Sequence, residues 1–551
     1  MFRVFKNYLT LYIIIFIFIS KPIIKMRPMP WYTIKKLLFP AAFLFFSFTM
    51  SAQEMRTTFS KEFSIRNPYS LSEGTCKIGN FYYRMEVDES DASKYAFRIK
   101  KVKFGITLYQ YDSDMNEWKK TELGGRNEKF GPFYPKIVWF NNKLLLFYFK
   151  VQQDEQIKFL LSEIDTTTLT ATSTTEIYTI ANAFINRASF RRQLRYVVSP
   201  DGSKLFLVLS DNTTELSTCT ITGDKITEKK TLPLNNMKAF AVGNVFIDNK
   251  GNRYIGYRYN DSVVERGIIM ENGQDETKWQ LYNTGQKNTW ANDIYFAASA
   301  DKTKTYAYSN FYHDYLNEGV VLATADAAGF SITNVQLFPY PDSLKRQLSD
   351  AGYGQKVKGN YTVQKIIYMF TELENGTIVF TGSPSFSGVS TITRSGGTTA
   401  IGTSIPSSSY SIRESGAGTI INIFTKDDKS IFSNIERDQF ETDAAGCIVF
   451  GYKNKLVCIY NESRLALQPH SYDGETIKDP SGLILAQVII GSDGTVLSAK
   501  KIAEAPAKNY FFTAAYKTLP GNTWLIPVGR ERMNLKEYYT QVSQWLTVEV
   551  K

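Results

Sequence analysis

The chain has 551 residues, with 64 Lys and Arg against 53 Asp and Glu, for a net charge of +11. Seven of those charges lie in residues 1–53 (Arg3, Lys6, Lys21, Lys25, Arg27, Lys35 and Lys36), where no acid occurs; the remainder, at +4, has no global electrostatic footprint for nucleic acid. A 43% hydrophobic and 21% charged composition excludes a disordered chain, and two histidines with four cysteines exclude multi-His metal centres and Cys-rich zinc modules.

Two apolar runs open the chain. The second, Leu37 to Met50, follows Lys35-Lys36 and precedes Ser51-Ala52-Gln53, the layout of a secretory signal with cleavage near Ala52. Its SAQ ending resembles the signal peptides of secreted Bacteroidota proteins. The first run is Tyr12 to Ser20; the wider stretch Tyr8 to Ile24 is marginal for a membrane span and is broken by Lys21-Pro22. It reads as an upstream extension of a gene start at Met26 or Met29, or alternatively as an anchor. The expected mature protein is exported (periplasmic, outer-membrane-associated or extracellular), without an integral membrane span.

From residue 54 onward, short Val/Ile/Tyr/Phe runs alternate with tight polar turns. Tyr196-Val197-Val198, Pro200-Asp201-Gly202 and Leu205-Phe206-Leu207 form one such unit; Val245-Phe246-Ile247, Asn249-Lys250-Gly251 and Tyr254-Ile255-Gly256 form another. Turn centres recur near residues 80, 141, 201, 250, 301, 375, 453 and 521, and Asn and Gly there supply the positive backbone angles of hairpins. A second hairpin follows most of them, near Asp114, Asp165, Gly223, Gly273, Ala328, Gly396 and Asp493. Four strands per repeat imply an all-β propeller of eight blades, with seven as the alternative, in one domain over 54–551. The last repeat supplies three strands (Phe511 to Tyr516, Thr523 to Val528, Tyr538 to Val550), and Arg56 to Ile65 is placed to close it. Insertions are expected at 341–363, 403–443 and 462–481, with 386–410 as a thin outer hairpin of blade six. Separate β-sandwiches are the competing architecture.

Ser199-Pro200-Asp201-Gly202-Ser203-Lys204-Leu205 resembles the strand–turn–strand of WD40-like and TolB-like propeller repeats. That resemblance implies a fold and no particular function. The turns are a residue shorter than the sialidase Ser-x-Asp-x-Gly-x-x-Trp turn, and seven scattered tryptophans make no quinoprotein docking repeat. No Gly-x-Ser-x-Gly elbow or phosphate loop is present.

In a propeller, the loops entering each first strand and leaving each second strand share one face. On that face fall Arg187, Arg191, Arg192 and Arg195, an anion clamp or a solvated loop; Arg258 and Asp261; Trp290 and Asp293; Tyr312, His313 and Asp314; and Arg530 and Arg532. Mixed arginines, carboxylates and aromatic rings suit a glycan or peptide. His313-Asp314 has the composition of a general base, yet no nucleophile partner is evident. His470 reads as exposed and inert. Cys447 and Cys458 flank one turn: centred on Tyr452-Lys453 it sets them opposite and bridgeable, centred on Lys453-Asn454 it leaves them diagonal. Cys76 and Cys219 belong to distant repeats and are expected to be free.

The expectation is a binding or assembly module for a glycan, peptide or envelope protein, with no cofactor and no metal. The alternatives are an enzyme using carboxylates at the channel mouth on polysaccharide or peptide, and a structural partner in an envelope complex.

Overall fold

The computed structural model describes residues 55–550 apart from 63–74, 89–104, 115, 124–132, 152–156, 181–193, 211–214, 235–239, 261–263, 275, 315, 351–353, 358–359, 364–365, 385, 395–407, 418–419, 427–428, 436–439, 442–445, 464–482, 507–508, 520–521 and 534–537. The secretory-signal reading falls outside them.

Eight four-stranded antiparallel sheets follow one another in a ring, an eight-bladed β-propeller. The inner strands are Thr75–Ile78, Phe133–Phe140, Leu194–Val198, Ala241–Ile247, Thr289–Ala291 with Tyr295–Ala298, Ile366–Glu372, Cys447–Tyr452, and Tyr510–Phe511 with Lys517–Leu519. Every inner hairpin turn holds a residue at positive φ: Gly79, Asn141 and Asn142, Gly202, Gly251, Lys302, Gly376, Lys453 and Asn522. The turn chemistry read from the sequence therefore fixes the hairpins. Lys302 and Lys453 adopt the left-handed region despite their side chains, held by the strands on either side.

The ring coheres because each blade is apolar on both faces. Phe147, Phe149 and Phe159 of the second blade pack against Leu205 and Leu207 of the third; Phe206 and Val208 on the other face of that strand pack against Ile255 and Tyr257 of the fourth. Burying one such side chain stabilises by roughly 1.5–3 kcal/mol. Blade eight meets blade one through Trp545, Tyr82 and Tyr111, with the Trp545 and Tyr111 rings edge-on at 5.2 Å.

Closure follows the expected route. The strand Met55–Phe59 pairs with Tyr538–Val550 at the rim of blade eight. Just beyond it the Ser60 amide donates to the Trp545 carbonyl (3.0 Å), and the Trp545 amide donates to the Ser60 hydroxyl (3.1 Å). A free sheet edge is thereby covered by the other end of the chain.

Two expectations are corrected. Blade six takes its outer pair from Ile420–Lys426 and Lys429–Ile435, the hairpin that had read as an insertion; the inserted pair is Phe386–Arg394 with Ser408–Ala417, a separate sheet with Phe440–Glu441. The reason is burial. A third strand packs on both faces, and IINIF supplies apolar groups for both, whereas the Ser/Thr-rich 386–417 pair has few to offer. The inner strand of blade eight is also interrupted, by a 3-10 turn at Thr513–Ala515. The 341–363 connection folds as a helix, Asp342–Asp350, whose Leu344 and Leu348 join the core between blades five and six, followed by a hairpin, Gly354–Val357 with Asn360–Val363. Of 462–481, only the strand-end residues Glu462 and Ser463 lie within the described residues.

Candidate functional site

The inner-hairpin turns gather on one face and bond to one another. Lys302 Nζ reaches the Pro200 carbonyl (3.0 Å), and the Asp201 amide reaches Asn249 Oδ1 (3.0 Å). A cavity of about 480 Å³ lies near the loop-face ends of the inner strands of blades three to five, lined in part by Arg195, Asn244, Arg258, Asn292, Asp293 and Tyr295.

Two adjacent irregularities shape it. The register between Ala241–Ile247 and its neighbour Arg253–Asn260 slips between Val242 and Val245, so Gly243 and Asn244 bulge. In blade five the inner strand breaks between Ala291 and Tyr295. Bulges of this kind re-aim backbone and side chains. Asn244 Nδ2 ties the two together by donating to the Ile294 carbonyl (3.0 Å). A Cβ on Gly256 would lie 3.2 Å from that carbonyl, and one on Gly243 would lie 3.1 Å from the Gly256 carbonyl, so the chains approach closely here and bare backbone lines the wall.

Two arginines, Arg195 and Arg258, stand on this wall. Arg195 Nε donates to the Gly243 carbonyl (3.3 Å). Arg258 is 55% exposed on the side chain, with Nη1 4.0 Å from Asp293 Oδ1. Directly across the strand pair from Arg258 stands Arg266. Burial pulls the Arg266 guanidinium below its usual pKa; Asp293 opposes that shift and Arg258 adds to it. Burial raises the Tyr312 phenol, Arg266 counteracts, and Asp293 raises it further. Tyr312 also stacks on Trp290, ring centroids 6.2 Å apart and 11° from parallel.

Arg195, Arg258 and Asp293, three residues picked out in the sequence, thus line one cavity, and Tyr312 interacts electrostatically with Asp293. Trp290 adjoins through its stack. Arg187, Arg191, Arg192, Asp261 and His470 lie outside the described residues. Arg530 and Arg532 belong to the strand Thr523–Met533 of blade eight, and Arg530 does not line the cavity. His313 and Asp314 sit at the exposed end of the blade-five hairpin, with His313 Nε2 3.5 Å from Asp314 Oδ2. His313 Nδ1 lies 2.9 Å from the Thr289 hydroxyl, a neighbour that strand pairing supplies and sequence order hides. Gly243, Asn244 and Gly256 of the wall, and Arg266 opposite Arg258, were missed for the same reason: only the cross-strand register places them. Alternating strand positions could have put Arg266 on the face of Arg258.

The four cysteines are free and buried. Tyr452 pairs with Lys455, so Cys447 faces Tyr460, Cys458 faces Val449, and the two are diagonal. Among the described residues no group of three or more His, Cys, Asp and Glu is placed to hold a metal ion, and no helix is long and apolar enough to cross a membrane.

No protein-family model matches the chain, and no curated protein matches it. Similar solved structures include the polysaccharide lyase Uly1 (TM-score 0.40, 11% identity, covering 89% of this chain and 99% of that one). Others are the β-propeller domain of the Trilobed protease from Pyrococcus furiosus (0.33, 10%, 79% and 97%) and the WD40 domain of SCAP from fission yeast (0.35, 10%, 91% and 99%). These likenesses concern propeller architecture and carry no argument about activity.

Proposed function

We propose that the protein is an exported binding module that recognises a glycan in the cavity between blades three, four and five. The observation that carries this reading is the chemistry of the lining. Its aliphatic members are largely withdrawn, Val242 being 7% and Ile294 3% exposed. What the cavity offers is guanidinium, amide, carboxylate and bare backbone, a mixture of donors and acceptors suited to a polyhydroxylated ligand. Half-buried Tyr295 and the Trp290–Tyr312 stack add ring surface nearby. Export is read from the basic, apolar and small-residue segments around Lys35 to Gln53.

Glycan-array binding by the full chain, compared with Gly256→Val and with Lys225→Ala on an outer hairpin, tests the reading. Binding lost only in Gly256→Val, with its thermal unfolding still cooperative, is the expected result. Equal binding by all three overturns the site.

Turnover is the competing reading. One observation favours it, the Thr289 hydroxyl, His313 imidazole and Asp314 carboxylate in sequence of contact. His313 and Asp314 are both solvent-exposed, and the Thr289 hydroxyl also bonds to the Lys287 carbonyl (3.3 Å). Release of reducing ends that disappears in His313→Ala would establish it.

A further inference from the structure

We propose that the cavity selects an acidic glycan of the uronate type, whose carboxylate is taken by Arg258 and Arg195, with Asp293 as the internal counter-ion that the ligand displaces. This rests on the glycan reading above and names the class of sugar.

The first ground is charge placement. Arg258 and Arg266 are direct cross-strand partners, and like charges so placed repel. Arg195 and Arg258 line the cavity, and among the described residues one carboxylate, Asp293, lines it with them. Glu265 neighbours Arg266 in sequence, but alternation puts it on the opposite strand face, where it accepts the Tyr259 hydroxyl. Among the described lining residues two arginines thus stand against one carboxylate, a balance that an anionic ligand would even.

The second ground is the state of Arg258. Its Nη1 lies 4.0 Å from Asp293 Oδ1, beyond hydrogen-bond distance, and over half of its side chain is exposed. An incoming carboxylate can take the guanidinium fork without first breaking a bidentate pair. Asp293 keeps the arginines compatible with the fold when the site is empty and competes weakly when it is filled.

The third ground separates sugar from peptide. An acidic peptide would need a slot for its side chains and a strand edge for its backbone. Here Gly243 and Gly256 present bare backbone instead of a side-chain slot, and the exposed lining is more polar than apolar.

The test is calorimetric titration of the full chain with galacturonate and mannuronate oligomers, each as free acid and as methyl ester, and with oligoglutamate. The expected result is at least about tenfold tighter binding of one free acid than of its ester, from a charge-assisted hydrogen-bond pair. That preference should vanish in Arg258→Ala and persist or grow in Asp293→Asn. Equal binding of acid and ester, abolished by Arg195→Ala, overturns the carboxylate assignment and leaves the glycan site standing. Weaker acid binding in Asp293→Asn overturns the counter-ion role. Tighter binding of oligoglutamate turns the site into a peptide site. No binding of any oligomer overturns both readings, with unchanged thermal unfolding of Arg258→Ala showing that the fold is not at fault.

Discussion

Arg258 and Arg266 face one another across adjacent strands of blade four, and Asp293 of blade five stands 4.0 Å from the first. Stability alone does not favour that placement, because cross-strand like charges are unfavourable and the half-buried Arg266 is already held below its usual pKa by burial.

Stability and recognition should therefore separate at this wall. Arg258→Ala removes an exposed guanidinium in a loose ion pair and is expected to change unfolding free energy by no more than about 0.5 kcal/mol. Gly256→Val, which puts side-chain atoms against the Ile294 carbonyl, is expected to cost about 1–3 kcal/mol. Urea denaturation of the two variants checks the difference.

The opposite holds for the buried ion cluster in blades three and four. Arg253, 2% exposed on the side chain, meets Glu271 at 3.1 Å and also pairs with Glu228, while Lys230 Nζ lies 4.0 Å from Glu271. Arg253→Ala leaves the fully buried Glu271 carboxylate short of its main partner and is expected to cost about 3–5 kcal/mol. Arg253→Met combined with Glu271→Met should recover part of that loss, which a double-mutant comparison in urea would show.

Acid sensitivity should trace to the turns. The Ser299 hydroxyl, then the Thr303 amide and hydroxyl, hold the Asp301 carboxyl at about 2, below its ordinary 3.8. Asp201 also sits at about 2: partial burial would raise it, but hydrogen bonds from Ser199 and Ser203 outweigh that. A depressed folded-state pKa contributes stability that is complete above about pH 4 and lost as pH falls through 2. Ser299→Ala is expected to return Asp301 toward 3.8 and to flatten that part of the stability curve. NMR carboxyl titration with acid denaturation checks both.

Thiol chemistry should be silent in the native state. Burial raises Cys76 to about 12, with Lys517 opposing, and burial raises Cys219 to about 12, with Lys229 opposing. The expected titration is no rapid reaction in buffer and four thiols in denaturant without reductant. Two would restore the Cys447–Cys458 bridge that the diagonal register argues against.

Repeated turns made the propeller legible, since Gly, Asn and Asp at the inner hairpins act locally and their spacing counts the blades. The exception was blade six. There chain order suggested that 386–410 followed directly as the outer hairpin, when Ile420 to Phe424 carries the double-sided apolar character a third strand needs. The site was half legible. Arg195, Arg258 and Asp293 could be placed on the loop face from the repeat alone. Arg266 and the Gly243 bulge depend on pairing between distant residues, and Thr289 reaches His313 only across a strand pair. Such contacts leave no trace in composition or period.

Hydrogen–deuterium exchange with and without a saturating uronate oligomer tests the central claim, that ligand occupies the cavity of blades three to five. The account predicts added protection at 194–195, 241–244, 256–258 and 292–295 and none at the turns 199–203, 248–252 and 299–304. Protection confined to those turns, or spread evenly around the ring, would contradict it.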